Sequence, residues 1–224
     1  MTDTDNRRPL KTRSAGWAGR MAAALGRARV RPNHISALSV AFAAVGASLF
    51  LMAGQSEGAG RSVCFVLAGV CIQLRLLCNM LDGMVAVEHG LGSPTGPIWN
   101  ELPDRIADAL FLAAAGYSVA PLLPAGEWLG WLAVALALLT AYVRELGRGL
   151  GQPADFSGPM AKPHRMFVLT VACLITALEP LWGGIGQVML VGLAVIALGS
   201  LVTVWRRTAR LGRALRDHPD APQP

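Results

Sequence analysis

The chain has 224 residues, 53% of them hydrophobic and 15% charged, with 20 Lys and Arg against 14 Asp and Glu and a net charge of +6. Soluble proteins carry about 25% charged residues, so this composition, with a mean hydropathy of +0.45, excludes an ordinary soluble domain. It points to an all-α, polytopic membrane protein.

Residues 1–31 form a basic segment containing Arg7, Arg8, Lys11, Arg13, Arg20, Arg27, Arg29 and Arg31. It has no short apolar core, so no signal peptide is expected. From Ser14 to Leu25 the pattern is helical, with Trp17, Met21, Ala24 and Leu25 on one face and Arg20 and Arg27 off it. Two readings stand: a helix lying on an anionic membrane surface, or a solvated basic tail with one Trp. Nucleic-acid binding is not expected, because membrane topology accounts for the same charges.

Pro32-Asn33-His34-Ile35-Ser36 opens the first expected span, Ile35 to about Gly54. Pro32 stops a preceding helix and a polar residue here can cap the next. Small residues in this span (Ala37, Ala43, Gly46, Ala47) allow close helix approach. The second span covers Ser62 to Leu81 and contains Arg75, followed by a polar connection from Asn79 to Asp104 broken by Gly90, Gly92, Pro94, Gly96 and Pro97. Further spans are expected at Arg105–Leu123, Trp128–Val143, Met166–Leu181 and Ile185–Trp205. Each of the six is about 20 residues, enough for a hydrocarbon core of about 30 Å. The expected layout is therefore a basic segment (1–31), a six-span domain (32–205) and a basic, finally Pro-rich tail (206–224). The four cysteines, Cys64, Cys71, Cys78 and Cys173, lie in apolar runs with no CxxC spacing and read as packing residues.

Basic residues set the orientation. They crowd the segment before the first span, the loop after the fourth (Arg144, Arg148, Lys162, Arg165) and the tail after the sixth, whereas the opposite loops hold only Arg61. The positive-inside rule then places both termini, and the Asn79–Asp104 connection, on the cytoplasmic side, as expected for a multi-pass protein of a cell inner membrane.

Asp82, Glu88, Glu101, Asp104 and Asp108, five of the 14 acids, fall between residues 79 and 108. Such a concentration beside membrane-length helices is costly without a cation to pair with it. Asn79 and Asp82 are spaced i, i+3, and Asn100, Asp104 and Asp108 by four, so each set shares a helix face. Two antiparallel helices bring these faces together into a cluster of oxygen ligands, which favours Mg²⁺ or Mn²⁺ over Zn²⁺. Gly83 and Ala86 remove bulk from the same helix, giving a ligand room to approach. Arg75 and Asp108, both deeper in the membrane, are expected to pair, since neither charge is tolerable alone in hydrocarbon. The other role open to Asp108 is as a further metal or outer ligand. An ion or metal transporter also uses intramembrane carboxylates. The clustering of these acids at one surface, with no span broken at mid-membrane, argues against that class.

These residues resemble the CDP-alcohol phosphotransferase family of membrane enzymes. Its pattern is Asp-x-x-Asp-Gly-x-x-Ala-Arg, eight residues, then Gly-x-x-x-Asp-x-x-x-Asp. Here the chain reads Asn79-x-x-Asp82-Gly83-x-x-Ala86-Val87, eight residues, then Gly96-x-x-x-Asn100-x-x-x-Asp104. All spacings match, while Asn79 and Asn100 replace two aspartates and Val87 the arginine. In the family the four aspartates hold a two-metal centre and the last acts as base. The resemblance therefore implies Asp104 as the catalytic base and Asn79, Asp82, Asn100, Asp104 and Asp108 as the candidate set for Mg²⁺ or Mn²⁺. It implies nucleotide contacts at Asp82, Gly83, Ala86 and Gly96. The basic loop residues Arg144, Arg148, Lys162 and Arg165 are candidates for an acceptor or lipid phosphate, or are only topology determinants. The implied reaction moves a phosphatidyl group from a CDP-linked lipid such as CDP-diacylglycerol to an alcohol acceptor with release of CMP, in phospholipid biosynthesis. The loss of two acids leaves open one metal rather than two, charge made up by Glu88, Glu101 or Asp108, or a catalytically silent membrane protein that binds nucleotide-lipid or a partner. The resemblance also implies a homodimer.

Overall fold

The computed structural model describes residues 16–88 and 94–217. Among them there is no strand. Seven helices run in order: α1 (Gly16–Arg27), α2 (Pro32–Gln55), α3 (Gly58–Glu88), α4 (Gly96–Val119), α5 (Ala125–Gly149), α6 (Lys162–Leu178) and α7 (Gln187–Asp217). A 3₁₀ turn, Glu179–Trp182, extends α6.

The helices run longer than the apolar segments that announce them. α3 continues past Leu81 to Glu88, so Asp82 and Gly83 lie inside a helix rather than in a connection. α4 begins at Gly96 instead of Arg105, and α7 continues past Trp205 to Asp217. Polar ends of this kind carry no hydropathy signal, yet their backbone bonds are made within the helix. Pro32, Pro97 and Pro163 each sit in the first turn, where a missing N–H costs nothing.

Five helices, α2, α3, α5, α6 with its 3₁₀ turn, and α7, are long and apolar enough to cross a membrane. The third expected span, α4, falls short of that measure, because its N-terminal half carries Glu101, Asp104, Arg105 and Asp108. Its buried face nevertheless holds Ala107, Phe111, Leu112, Ala114 and Ala115 against the other helices. α2 packs on α3 and α4, α3 on α6, α6 on α7, α7 on α5, and α5 on α4, so the six long helices close into a ring. In a membrane such packing rests on close van der Waals contact and not on the hydrophobic effect. Glycine supplies the closeness: a Cβ on Gly116 of α4 would stand 2.4 Å from the Gly126 carbonyl oxygen and 2.9 Å from Gly130 Cα, both of α5. Gly46 on α2 likewise admits the Phe111 ring, 2.4 Å from where its Cβ would be. All four cysteines are free and buried.

α1 lies against α3 through Ala18 and Ala22, which are fully buried, while Trp17 and Met21 stay exposed. The face that docks is thus the alanine face, next to the one marked by large apolar residues. Arg7, Arg8, Lys11 and Arg13 lie outside the described residues, as do His89, Gly90, Gly92 and His218.

Candidate functional site

The ring brings one end of every long helix to the same place. A cavity of about 420 Å³ opens there, lined by the start of α2 (Asn33, Ser36), the end of α3 (Asn79, Asp82, Gly83, Ala86), the start of α4 (Gly96, Asn100, Glu101, Asp104), the end of α5 (Thr140, Arg144, Arg148), the start of α6 (Lys162, Arg165) and Arg207 of α7. That volume lies in the range of small-molecule sites, roughly 300–1,000 Å³. Of the expected residues, only Asp108 is missing from the lining.

Asp104 is the hub. Arg75 Nη2 donates to its Oδ1 at 3.1 Å and Asn79 Nδ2 donates to the same oxygen. Lys162 Nζ donates to Oδ2, and Arg105 Nη2 stands 3.8 Å from that oxygen. Asp82 is different. Its Oδ2 accepts from Ser36 Oγ at 2.7 Å, while Oδ1 is buried without a hydrogen-bond partner, in a residue only 6% exposed. A buried carboxylate oxygen left in that state is unfavourable unless a cation or donor meets it.

One turn deeper, Asp108 is clamped between two arginines. Its Oδ1 accepts from Arg75 Nη2 at 2.9 Å and its Oδ2 from Arg165 Nη2 at 2.8 Å. Asp108, Arg75 and Arg165 are each at most 1% exposed. The expected Arg75–Asp108 pair is present, and Arg165 joins it. Both Asp108 oxygens are thus committed to arginines, and Asp108 is the one residue of the expected metal-ligand set that is not in the cavity lining. Arg165, which does line the cavity, also donates from Nη1 to Thr140 Oγ1 and the Met160 carbonyl, at 3.1 and 3.0 Å. Its guanidinium fastens α6 to α4 and α5, so an incoming phosphate meets it already engaged.

The other basic candidates sit nearer the opening. Arg144 donates to Glu101 Oε2 at 2.5 Å and to Glu145 Oε1 at 2.9 Å, and Arg148 pairs with Glu145 at 2.9 Å. Glu101, a possible source of replacement charge, thus faces Arg144 and, at 3.4 Å, Arg105. Asn100 is exposed at the cavity rim, and Glu88 is exposed at the end of α3 away from the lining.

The loop between α5 and α6 forms one wall, and its anchor is Arg207, which the sequence presents only as one of several basic tail residues. Arg207 is buried; its Nε donates to the Ser157 carbonyl at 2.9 Å and its Nη1 to the Thr140 carbonyl at 2.6 Å. Met160 N donates to Thr203 Oγ1 at 3.0 Å. Gly158 takes φ +115°, and a Cβ there would stand 2.6 Å from Thr203 Cγ2, so both conformation and space require glycine. Phe156 lies beneath Arg144, 5.3 Å from guanidinium carbon to ring centre. Asp155 in this loop has its carboxyl held below the ordinary range: partial burial opposes ionisation, but the Ser157 hydroxyl and N–H, with Arg207 and Arg210, outweigh it. Ser36 is the other residue of the site without a distinctive signal, since its place before the first span suggests only a helix cap.

The donor set fits one divalent cation: Asp82 offers an unsatisfied buried oxygen, and Asn79 and Asn100 offer amide oxygens nearby on the same lining. It does not fit a pair. Only Asp82 and Asp104 remain of a four-carboxylate set, and both oxygens of Asp104 already accept from Arg75, Asn79 and Lys162. Among the described residues, no group of three or more His, Cys, Asp or Glu side chains is arranged to hold a metal.

Comparison with known proteins agrees with this architecture. A phosphatidylinositol phosphate synthase of Mycobacterium tuberculosis, crystallised with manganese and citrate, superposes with a TM-score of 0.73 over 87% of this chain and 88% of that one, at 19% identity. A phosphatidylinositol phosphate synthase of Streptomyces avermitilis is 27% identical over 86% of this chain and 76% of its own length. A bifunctional IPC transferase and DIPP synthase of Rubrobacter xylanophilus is 34% identical over 65% of this chain, which spans only 31% of that larger protein. The inner membrane protein YnbA of Escherichia coli is 27% identical over 68% of this chain and 71% of its own. Residues 29–205 match the profile of CDP-alcohol phosphatidyltransferase, nearly the whole ring of helices, and the chain belongs to that family.

Proposed function

We propose that this protein transfers a phosphatidyl group from a CDP-linked lipid, CDP-diacylglycerol or a close relative, to an alcohol, releasing CMP. The observation that carries this reading is the convergence of Asp82, Gly83, Ala86, Gly96 and Asp104 on one cavity at the shared end of six helices. In that position a lipid donor keeps its tails in the bilayer while its pyrophosphate reaches the polar end. The basic residues gather at this same end, which supports a cytoplasmic site and cytoplasmic termini in an inner membrane. By the same reading α4 is the sixth span, its acids covered by Arg75, Arg105, Arg144, Lys162 and Arg165.

Asp82, with amide oxygens from Asn79 and Asn100, would hold Mg²⁺ or Mn²⁺, and the ion would neutralise charge on the transferring phosphoryl group. Gly83 and Ala86 leave room for the nucleotide against α3. Arg75 and Asn79 fix the Asp104 carboxylate through Oδ1; Oδ2, which also accepts from Lys162 Nζ, is the oxygen that would take the acceptor's hydroxyl proton as the acceptor displaces that contact. The acceptor oxygen then bonds to the lipid-side phosphorus as the bond from that phosphorus to the CMP oxygen breaks. The cavity lining carries six cationic side chains against four carboxylates. That excess suits an acceptor bearing its own phosphate, met by Arg144, Arg148 and Lys162, as the names of the synthase relatives also suggest.

The test is CMP release by the full-length protein in lipid, with CDP-diacylglycerol, Mg²⁺ or Mn²⁺ and a panel of free and phosphorylated alcohols. Asp104→Asn is expected to abolish release. The second reading, a silent binder of nucleotide-lipid, is favoured by the two asparagines; tight CDP binding without CMP from any acceptor would establish it instead.

A further inference from the structure

We propose that this cavity takes a single divalent cation, at Asp82, and that the Lys162 ammonium, built into the chain, serves as the second cation on Asp104. The inference deepens the phosphatidyl-transfer reading of the same site. Three independent observations lead to it.

The first is charge. Relative to four carboxylates, Asn79 and Asn100 remove two negative charges, which is the charge of one divalent ion. A pair of divalent ions over Asp82 and Asp104 alone would leave two positive charges uncompensated before the surrounding guanidiniums are counted.

The second is occupancy. Lys162 Nζ donates to Asp104 Oδ2, and Arg75 and Asn79 hold Oδ1. Asn79 is itself part of the device. Its Nδ2 donates to Asp104, which an aspartate in that position could not do. The substitution therefore turns a repulsive carboxylate pair into a hydrogen bond and leaves only the amide Oδ1 to offer a cation. Lys162 stands at the first position of α6, with its stem along the cavity wall, so its charge reaches Asp104 from the helix facing α4.

The third is the contrast with Asp82. Asp82 lines the same cavity; its Oδ1 is buried and has no hydrogen-bond partner, while Ser36 holds the other oxygen at 2.7 Å. One acid is supplied with cations by the protein and the other waits for one. Lysine differs from a metal here: it adds positive charge for a pyrophosphate but cannot be removed by a chelator.

The test is Mn²⁺ binding, which needs no turnover. The full-length protein in lipid nanodiscs is titrated with Mn²⁺ alone and followed by electron paramagnetic resonance. The expected result is one Mn²⁺ per chain, with no spin-coupled pair. Lys162→Met should bind Mn²⁺ about tenfold more tightly, the effect of removing one unit charge about 6 Å from a divalent ion in a water-like dielectric. Lys162→Arg, which keeps the charge, should stay near wild type. Two Mn²⁺ per chain, or none, in the wild-type protein overturns the proposal whether or not the variants fold. So does an unchanged or weaker affinity in folded Lys162→Met. CMP release is measured on the same preparation. One Mn²⁺ without CMP release leaves this inference standing and removes the phosphatidyl-transfer reading; CMP release with two Mn²⁺ does the reverse.

Discussion

Replacing Asp108 by Asn tests whether the buried Arg75–Asp108–Arg165 triad is framework. The carboxylate accepts two charge-assisted hydrogen bonds, 2.9 Å from Arg75 and 2.8 Å from Arg165. Bonds of this kind contribute about 1.5–3 kcal/mol each. Asn keeps one acceptor oxygen, turns its NH₂ toward the other guanidinium and leaves two cations facing each other. The expected loss is about 3–5 kcal/mol, as for breaking a buried ion pair. A chain of this size loses roughly 2–4 °C per kcal/mol, so Asp108→Asn should melt on the order of 10 °C lower. The assay is heating in detergent followed by size-exclusion of the surviving fraction. Replacing the whole triad at once, Arg75→Met with Asp108→Leu and Arg165→Met, should recover much of the stability, because no buried charge then lacks a partner. Asp108→Asn melting within about 2 °C of wild type, below the shift that even 1 kcal/mol produces, would refute the reasoning. A loss of Mn²⁺ affinity without that thermal shift would return Asp108 to the metal ligands.

Asp82→Ala should abolish Mn²⁺ binding while the chain stays folded; retained binding would move the cation site elsewhere. Asn100→Asp should tighten Mn²⁺ binding, and no change would exclude that rim residue from the ligand set. Gly116→Ala pushes a methyl into the Gly126 carbonyl and should cost about 1–3 kcal/mol or more, read as a lower melting temperature. Arg207→Met loosens the α5–α6 loop and should raise KM about tenfold, the worth of one charge-assisted hydrogen bond, with a smaller change in kcat; equal losses in kcat and kcat/KM would instead put Arg207 in the transition state.

The membrane class, the order of the long helices and the end of the bundle where the polar residues gather are legible in the sequence alone. Those features rest on local quantities: apolar length, the distribution of Arg and Lys, and i, i+3 and i, i+4 spacing. The sequence also picked out Asp82 and Asp104, because two spaced sets of oxygen ligands flanking one connection exceed what helix caps require. It paired Arg75 with Asp108 on the cost of a lone charge in hydrocarbon. Which acids are left free depends on contacts between residues far apart in the chain. Asp104 and Asp108 occupy equivalent positions on one helix face, yet Asp108 is closed off by Arg165, 57 positions away, and Asp104 is met by Lys162, 58 positions away. Arg207 is one basic residue among several in the chain, and its burial depends on the α5–α6 loop folding back over it. The single unpartnered oxygen of Asp82 is a property of the closed ring of helices: it exists because Ser36 of α2 takes one side of the carboxylate and no side chain reaches the other.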